Sequence, residues 1–118
     1  MAEEKYVESL IDIGSELFRF RQVFYRMARK MDMEDQNKYS SQFSWFSKKV
    51  TQALDDAGIT VLDLTNKPYD PGMAVTPLNL EDFEVDDPLI IEQMIEPVIM
   101  CEERLVKTGT VILGREKK

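Results

Sequence analysis

The sequence predicts an α+β protein, with an N-terminal antiparallel helical hairpin over residues 1–57 and a small β-domain over residues 58–118. Three observations predict it. The apolar residues Tyr6, Leu10, Ile13, Leu17, Phe20, Phe24, Met27 and Met31 step alternately by four and three, the period of helices that pack along their length. The same stepping returns at Tyr39, Phe43, Phe46, Val50, Ala53 and Ala57, after a short polar turn. Beyond Gly58 that period is lost, and short β-branched runs alternate with proline, glycine and acidic breaks.

The first helix is expected from residue 3 to about residue 31. It holds no proline and one glycine, Gly14, which costs about 1 kcal/mol relative to alanine and does not break so regular a pattern. A second apolar line, Val7, Ile11, Phe18, Tyr25 and Ala28, makes the buried face wider than a two-stranded coiled coil needs and points to a bundle of three or four helices. Arg19, Arg21, Arg26, Arg29 and Lys30 crowd the second half, where cations complement the helix dipole. Residues 32–37 form a polar turn in which Asp35 or Asn37 can cap the second helix, expected over about 36–57. Trp45 and Leu54 widen that helix's apolar face, and Gly58 stands where a C-terminal cap belongs. One hairpin this aromatic cannot bury both faces alone. Two copies would make a four-helix bundle, so a homodimer is expected through Leu10, Ile13, Leu17, Phe20, Phe24, Phe43, Phe46 and Val50. The alternative is a C-terminal half folded back over the hairpin.

In that C-terminal half, residues 59–64 are a strand candidate, 65–72 a turn-rich loop and 73–75 a brief strand. Residues 79–88 are an acidic loop. Four strand-like runs follow at 89–95, 98–101, 104–107 and 110–113, broken by Pro97, Glu102-Glu103 and Thr108-Gly109. Pro97 has no donor for a ladder and belongs at an edge or a bulge. Residues 115–118 are expected to fray.

Composition narrows the function classes. The 43% apolar and 31% charged content of 118 residues is that of a globular chain with room for one core, or for a helical part plus a small sheet. No apolar run approaches the roughly 18 residues of a membrane span. The start MAEEKYVESL lacks the basic-then-apolar plan of a signal peptide, so the chain reads as a complete cytoplasmic protein. The lone Cys101 excludes an intrachain disulfide and fits a reducing compartment. The net charge of −7 is uneven: nine Lys/Arg against ten Asp/Glu in residues 1–57, six against twelve in 58–118. An acidic C-terminal half weighs against nucleic acid and anionic membrane as partners and leaves a basic protein partner open.

Little in the chain suits bond-making. There is no histidine, which removes the commonest general base and most zinc sites. No phosphate-cradling glycine motif is present. Cys101 has no histidine or second cysteine to activate it and reads as a packing residue. Glu81, Asp82, Glu84, Asp86 and Asp87 lack the spacing and turn glycine of a calcium loop. Neither catalysis nor a metal or other cofactor is expected.

The stretch VTQALDDAGITVLDLTNKPYDPGMAV resembles the part of GrpE-type nucleotide exchange factors in which a helix ends in glycine, a short strand follows, and a Pro-Phe-Asp-Pro loop leads to an Ala-Val pair. The matching residues are Leu54, Gly58, Ile59, Pro68, Tyr69, Asp70, Pro71, Ala74 and Val75. The end of the chain, IIEQMIEPVIMCEERLVKTGTVILG, is similar to the family's final hairpin, with Met94, Met100, Arg104, Lys107, Val111 and Leu113 on matching positions. The family's Gly-Tyr is Pro97-Val98 here, Thr108-Gly109 replaces its small residues, and its long N-terminal stalk has no counterpart.

The resemblance implies a short, stalkless, dimeric co-chaperone of the cytoplasm, serving protein folding and the stress response. Its β-domain would bind the nucleotide-binding domain of a DnaK-type chaperone and promote ADP release without catalysis. By the same matching, Met94, Arg104 and Leu113 are the candidate chaperone-facing residues, although Met94 and Leu113 equally suit a β-domain core and Arg104 a solvated turn. The other reading is a dimeric interaction adaptor that keeps the fold without exchange activity and binds a different protein, with the acidic loop at 81–87 as one candidate surface.

Overall fold

The two stretches of alternating apolar spacing form helices α1 (Ala2–Ala28) and α2 (Met33–Asp56) in a computed structural model that describes residues 2–116. The hairpin ends α1 three residues short of the sequence expectation. There, Lys30 N–H donates to the Met27 carbonyl at 3.0 Å and Met31 N–H to that of Ala28 at 3.1 Å, tightening the last turn so that Met31 leaves the helix. The α2 cap is Asp32, not Asp35 or Asn37. Its backbone is extended, and its carboxylate accepts from the Asp35 N–H at 2.8 Å. Glu34 and Asp35 then sit in the first turn, where acids favour the positive end of the helix. Replacing Asp32 with alanine is expected to cost about 1 kcal/mol, read as a lower midpoint in thermal denaturation.

At its other end α2 stops as anticipated. Gly58 takes φ 82°, the left-handed conformation that follows a helix cheaply only at glycine, and its N–H donates to the Asp55 carbonyl at 2.9 Å. The hairpin is held by aromatic packing. The Phe24 and Phe43 rings stack with centroids 4.6 Å apart, and the Arg21 guanidinium donates to Ser47 Oγ at 3.3 Å.

The chain divides into two units, Met1–Thr60 and Val61–Lys118. Six strands follow the hairpin: β1 (Ile59–Leu62), β2 (Val75–Pro77), β3 (Leu89–Glu96), β4 (Val98–Cys101), β5 (Arg104–Lys107) and β6 (Gly109–Arg115). They form two three-stranded sheets, ordered β1-β4-β5 and β2-β6-β3. β1 is shorter than expected because Asp63 starts a turn, accepting from the Thr65 N–H at 3.0 Å and its hydroxyl at 2.6 Å. The brief strand lies two residues later than expected and runs parallel to β6, with Val75 opposite Gly109. Arg115 does not fray. It pairs opposite Leu89 and sits 3.6 Å from the Asp87 carboxylate, whereas residues 117 and 118 lie outside the described residues. The acidic loop contains a short 3-10 helix, Leu80–Asp82. Asn79 follows β2, and its side chain extends the ladder: it donates to the Leu113 carbonyl and accepts from the Leu113 N–H, at 3.0 and 2.9 Å.

β3 departs from strict alternation. Its register against β6 shifts between Ile91 and Gln93 and again between Met94 and Glu96, leaving Glu92 and Ile95 as extra residues. The buried positions are therefore Ile91, Met94 and the following Pro97, rather than every second residue. With Leu89, Val98, Ile99, Val111 and Leu113 they form the β-domain core. β6 itself alternates cleanly, with Gly109, Val111 and Leu113 buried. Gly109, expected as a break, is the first residue of that strand. A Cβ there would meet Val98 Cγ2 and Met94 Cε at 3.0 Å and the Glu96 carbonyl oxygen at 3.1 Å. The backbone oxygen cannot move aside without disturbing the ladder, so Gly109→Ala is expected to destabilise by about 1–3 kcal/mol in urea denaturation.

Candidate functional site

The hairpin carries one continuous open apolar face. A groove of about 480 Å³ is lined by Asp12, Ile13, Glu16, Leu17, Phe20, Phe46 and Val50. A second depression of about 410 Å³ shares Phe20 and Phe46 and continues through Tyr39 and Met31 over Phe24 and Phe43. Ile13, Phe20 and Phe46 are each about half exposed, at 50%, 48% and 50%. These large apolar side chains are held half open along one face rather than scattered singly.

The eight expected dimerisation residues thus separate by depth. Ile13, Phe20 and Phe46 stand open, while Leu10, Phe43 and Val50 are half-buried and Leu17 and Phe24 buried. Phe24 and Phe43 stack on each other and so build the hairpin, and both also line the second depression. Trp45 does not extend the buried face as expected: it is 65% exposed, with the Lys49 ammonium 5.6 Å from its ring, whereas Leu54 is buried.

The three candidate partner-binding residues of the β-domain part company. Met94 and Leu113 are core, each 1% exposed. The Met94 sulfur accepts from the Leu64 N–H at 2.9 Å, and the Leu113 backbone is held by Asn79. Side chains so enclosed present nothing to a partner. Arg104 is exposed and, among the described residues, forms no ion pair. It begins β5 directly after Glu102 and Glu103, whose φ angles of 48° and 73° make a tight two-residue turn out of non-glycine residues. The loop at 68–71 is tied to β3, with the Tyr69 N–H donating to the Leu89 carbonyl at 2.8 Å, so it shapes the domain.

Among the described residues no group of three or more histidine, cysteine or acidic side chains is placed to hold a metal ion. In the acidic loop the Asp87 carboxylate accepts from the Glu84 N–H and faces Arg115, so it closes the loop on itself. Among the described residues no helix is long and apolar enough to cross a membrane. Compared with protein-family models, with curated proteins and with solved structures, the chain matches none.

Proposed function

We propose that this protein is a GrpE-like co-chaperone: a cytoplasmic homodimer, joined through the hairpin face, whose β-domain binds the nucleotide-binding domain of a DnaK-type chaperone and promotes ADP release. The observation that carries this reading is the open apolar face running through Ile13, Phe20 and Phe46 on a hairpin that is followed by the β-domain with its Pro68-Tyr69-Asp70-Pro71 loop. A second copy closes such a face in a self-complementary way, since each groove supplies the ridge for the other.

The mechanism is differential binding. A β-domain that holds the open cleft of the chaperone better than the closed one weakens nucleotide affinity by linkage. A hundredfold weakening requires a preference of about 2.7 kcal/mol, within reach of one modest protein contact. No bond is made or broken, so a chain without histidine can do it. The test is release of a fluorescent ADP from a DnaK-type chaperone of the same organism. Acceleration at saturating protein is expected, and an unchanged release rate would overturn the reading.

The burial of Met94 and Leu113 favours a second reading, a dimeric adaptor that keeps the fold but contacts a protein other than such a chaperone. Affinity capture that returns one stoichiometric partner, while the chaperone does not bind, would select it.

A further inference from the structure

β6 carries a second glycine, Gly114, in the body of its ladder, paired opposite Ile90 of β3. Glycine inside a strand weakens it, and its use there marks a close approach by another group. The group that approaches Gly114 is the Glu92 carboxylate: a Cβ on Gly114 would overlap Glu92 Oε2. Glu92 is the residue left over by the first register shift of β3, and a bulge of this kind re-aims a side chain. Bulge and glycine together seat one carboxylate across β6.

That carboxylate lines a cavity of about 590 Å³ within the β-domain, which Asn66, Phe83, Ile90, Arg115 and Glu116 also line. Arg115 is the one cation among these described lining residues. It is held, 5.3 Å from the centroid of the Phe83 ring and 3.6 Å from the Asp87 carboxylate. Glu92 and Glu116 form no ion pair among the described residues. Asn66 sits at φ 70°, tied by its N–H to the Ile91 carbonyl at 2.7 Å, and its side-chain amide makes no hydrogen bond among the described residues. With Arg115 offset by Asp87, the cavity keeps a negative balance beside the apolar walls of Ile90 and Phe83. A divalent metal ion finds too few ligands, since no group of three metal-ligating side chains is placed to hold one among the described residues. An organic cation needs only one carboxylate and gains from an apolar wall along its stem.

We propose that this cavity binds an alkylammonium or guanidinium group. Glu92 is its counter-ion, the Asn66 amide oxygen accepts from it, and Ile90 and Phe83 cover its aliphatic stem. The same group is carried by a free amine and by a lysine or arginine side chain of another protein. Its binding does not depend on whether the chain serves a chaperone.

The experiment follows the backbone amide signals of the full chain by NMR during titration with n-butylammonium, with an acetylated and amidated Gly-Lys-Gly peptide, and with 1-butanol as the uncharged control, at constant pH and ionic strength. The two cationic probes are expected to move the amides of Asn66, Glu92 and Gly114, and butanol to leave them in place. Glu92→Gln is expected to weaken binding about tenfold, the worth of one charge-assisted hydrogen bond. Gly114→Ala keeps every charge and displaces only the flexible end of the Glu92 side chain, so it is expected to weaken binding as well. Glu103→Gln, in the exposed turn after β4, is expected to bind as the natural chain does. The spectrum of each variant shows whether it is folded. Binding of the amine alone, or of the peptide alone, supports the site and identifies the source of the cation. Silence of these amides toward both cationic probes, equal shifts with butanol, or unchanged binding by folded Glu92→Gln would overturn it.

Discussion

Phe46→Asp is expected to convert the protein from a dimer to a monomer. Phe46 lines both depressions of the hairpin face and is half exposed in the single chain, so an aspartate there meets water and the hairpin itself survives. In a dimer the same position is covered, and two-fold symmetry places the substitution in the interface twice. Burying an unpaired carboxylate among apolar side chains costs several kcal/mol per site, enough to dissolve a dimer of ordinary affinity. Sedimentation equilibrium should give the natural chain twice its 13.7 kDa mass and the variant a single mass. The lone tryptophan offers a second readout. Trp45 is largely exposed on the same helix, and its emission should shift to the red if dimer contacts near it are lost. A natural chain that is monomeric at micromolar concentration would remove the bundle from the proposed function.

Met94→Ala is expected to lower stability by about 3 kcal/mol, within the 2–5 kcal/mol range for emptying a core position. Met94 is 1% exposed, its methyl reaches the close approach at Gly109, and its sulfur takes the Leu64 N–H, so alanine leaves both a void and an unpaired donor. For a domain of this size the thermal midpoint should fall by roughly 10 °C or more. Arg104→Ala should do the reverse: change stability by less than about 0.5 kcal/mol, as an exposed substitution does, while weakening partner binding. The pair of measurements separates a core residue from a contact residue at two positions that sequence matching had put together. Equal, small stability losses at both would show that Met94 is not the packing element its burial indicates.

Much of the helical half was legible because its signal is local. Period, polar turn and Gly58 follow from neighbours in sequence, and even the displaced cap is an aspartate in the predicted turn. Strand existence was legible for similar reasons: β4 and β5 begin and end where their flanking breaks lie. Strand register was not. Whether Met94 or Ile95 points inward depends on two bulges against β6, a partner thirteen or more residues away, and no property of the segment LIIEQMIE announces them. The same holds for Trp45, whose apolar character suggested burial while the packing of Phe24 on Phe43 left its side of α2 open.

By itself, then, the sequence determined two heptad helices, a glycine-capped exit into a small β-domain, and a chain without histidine. Only the tertiary structure decided which apolar residues are core and which are surface. The reason is physical: helix periodicity is set by hydrogen bonds four residues apart, whereas a strand's inward face is set by how its register slips against a distant partner.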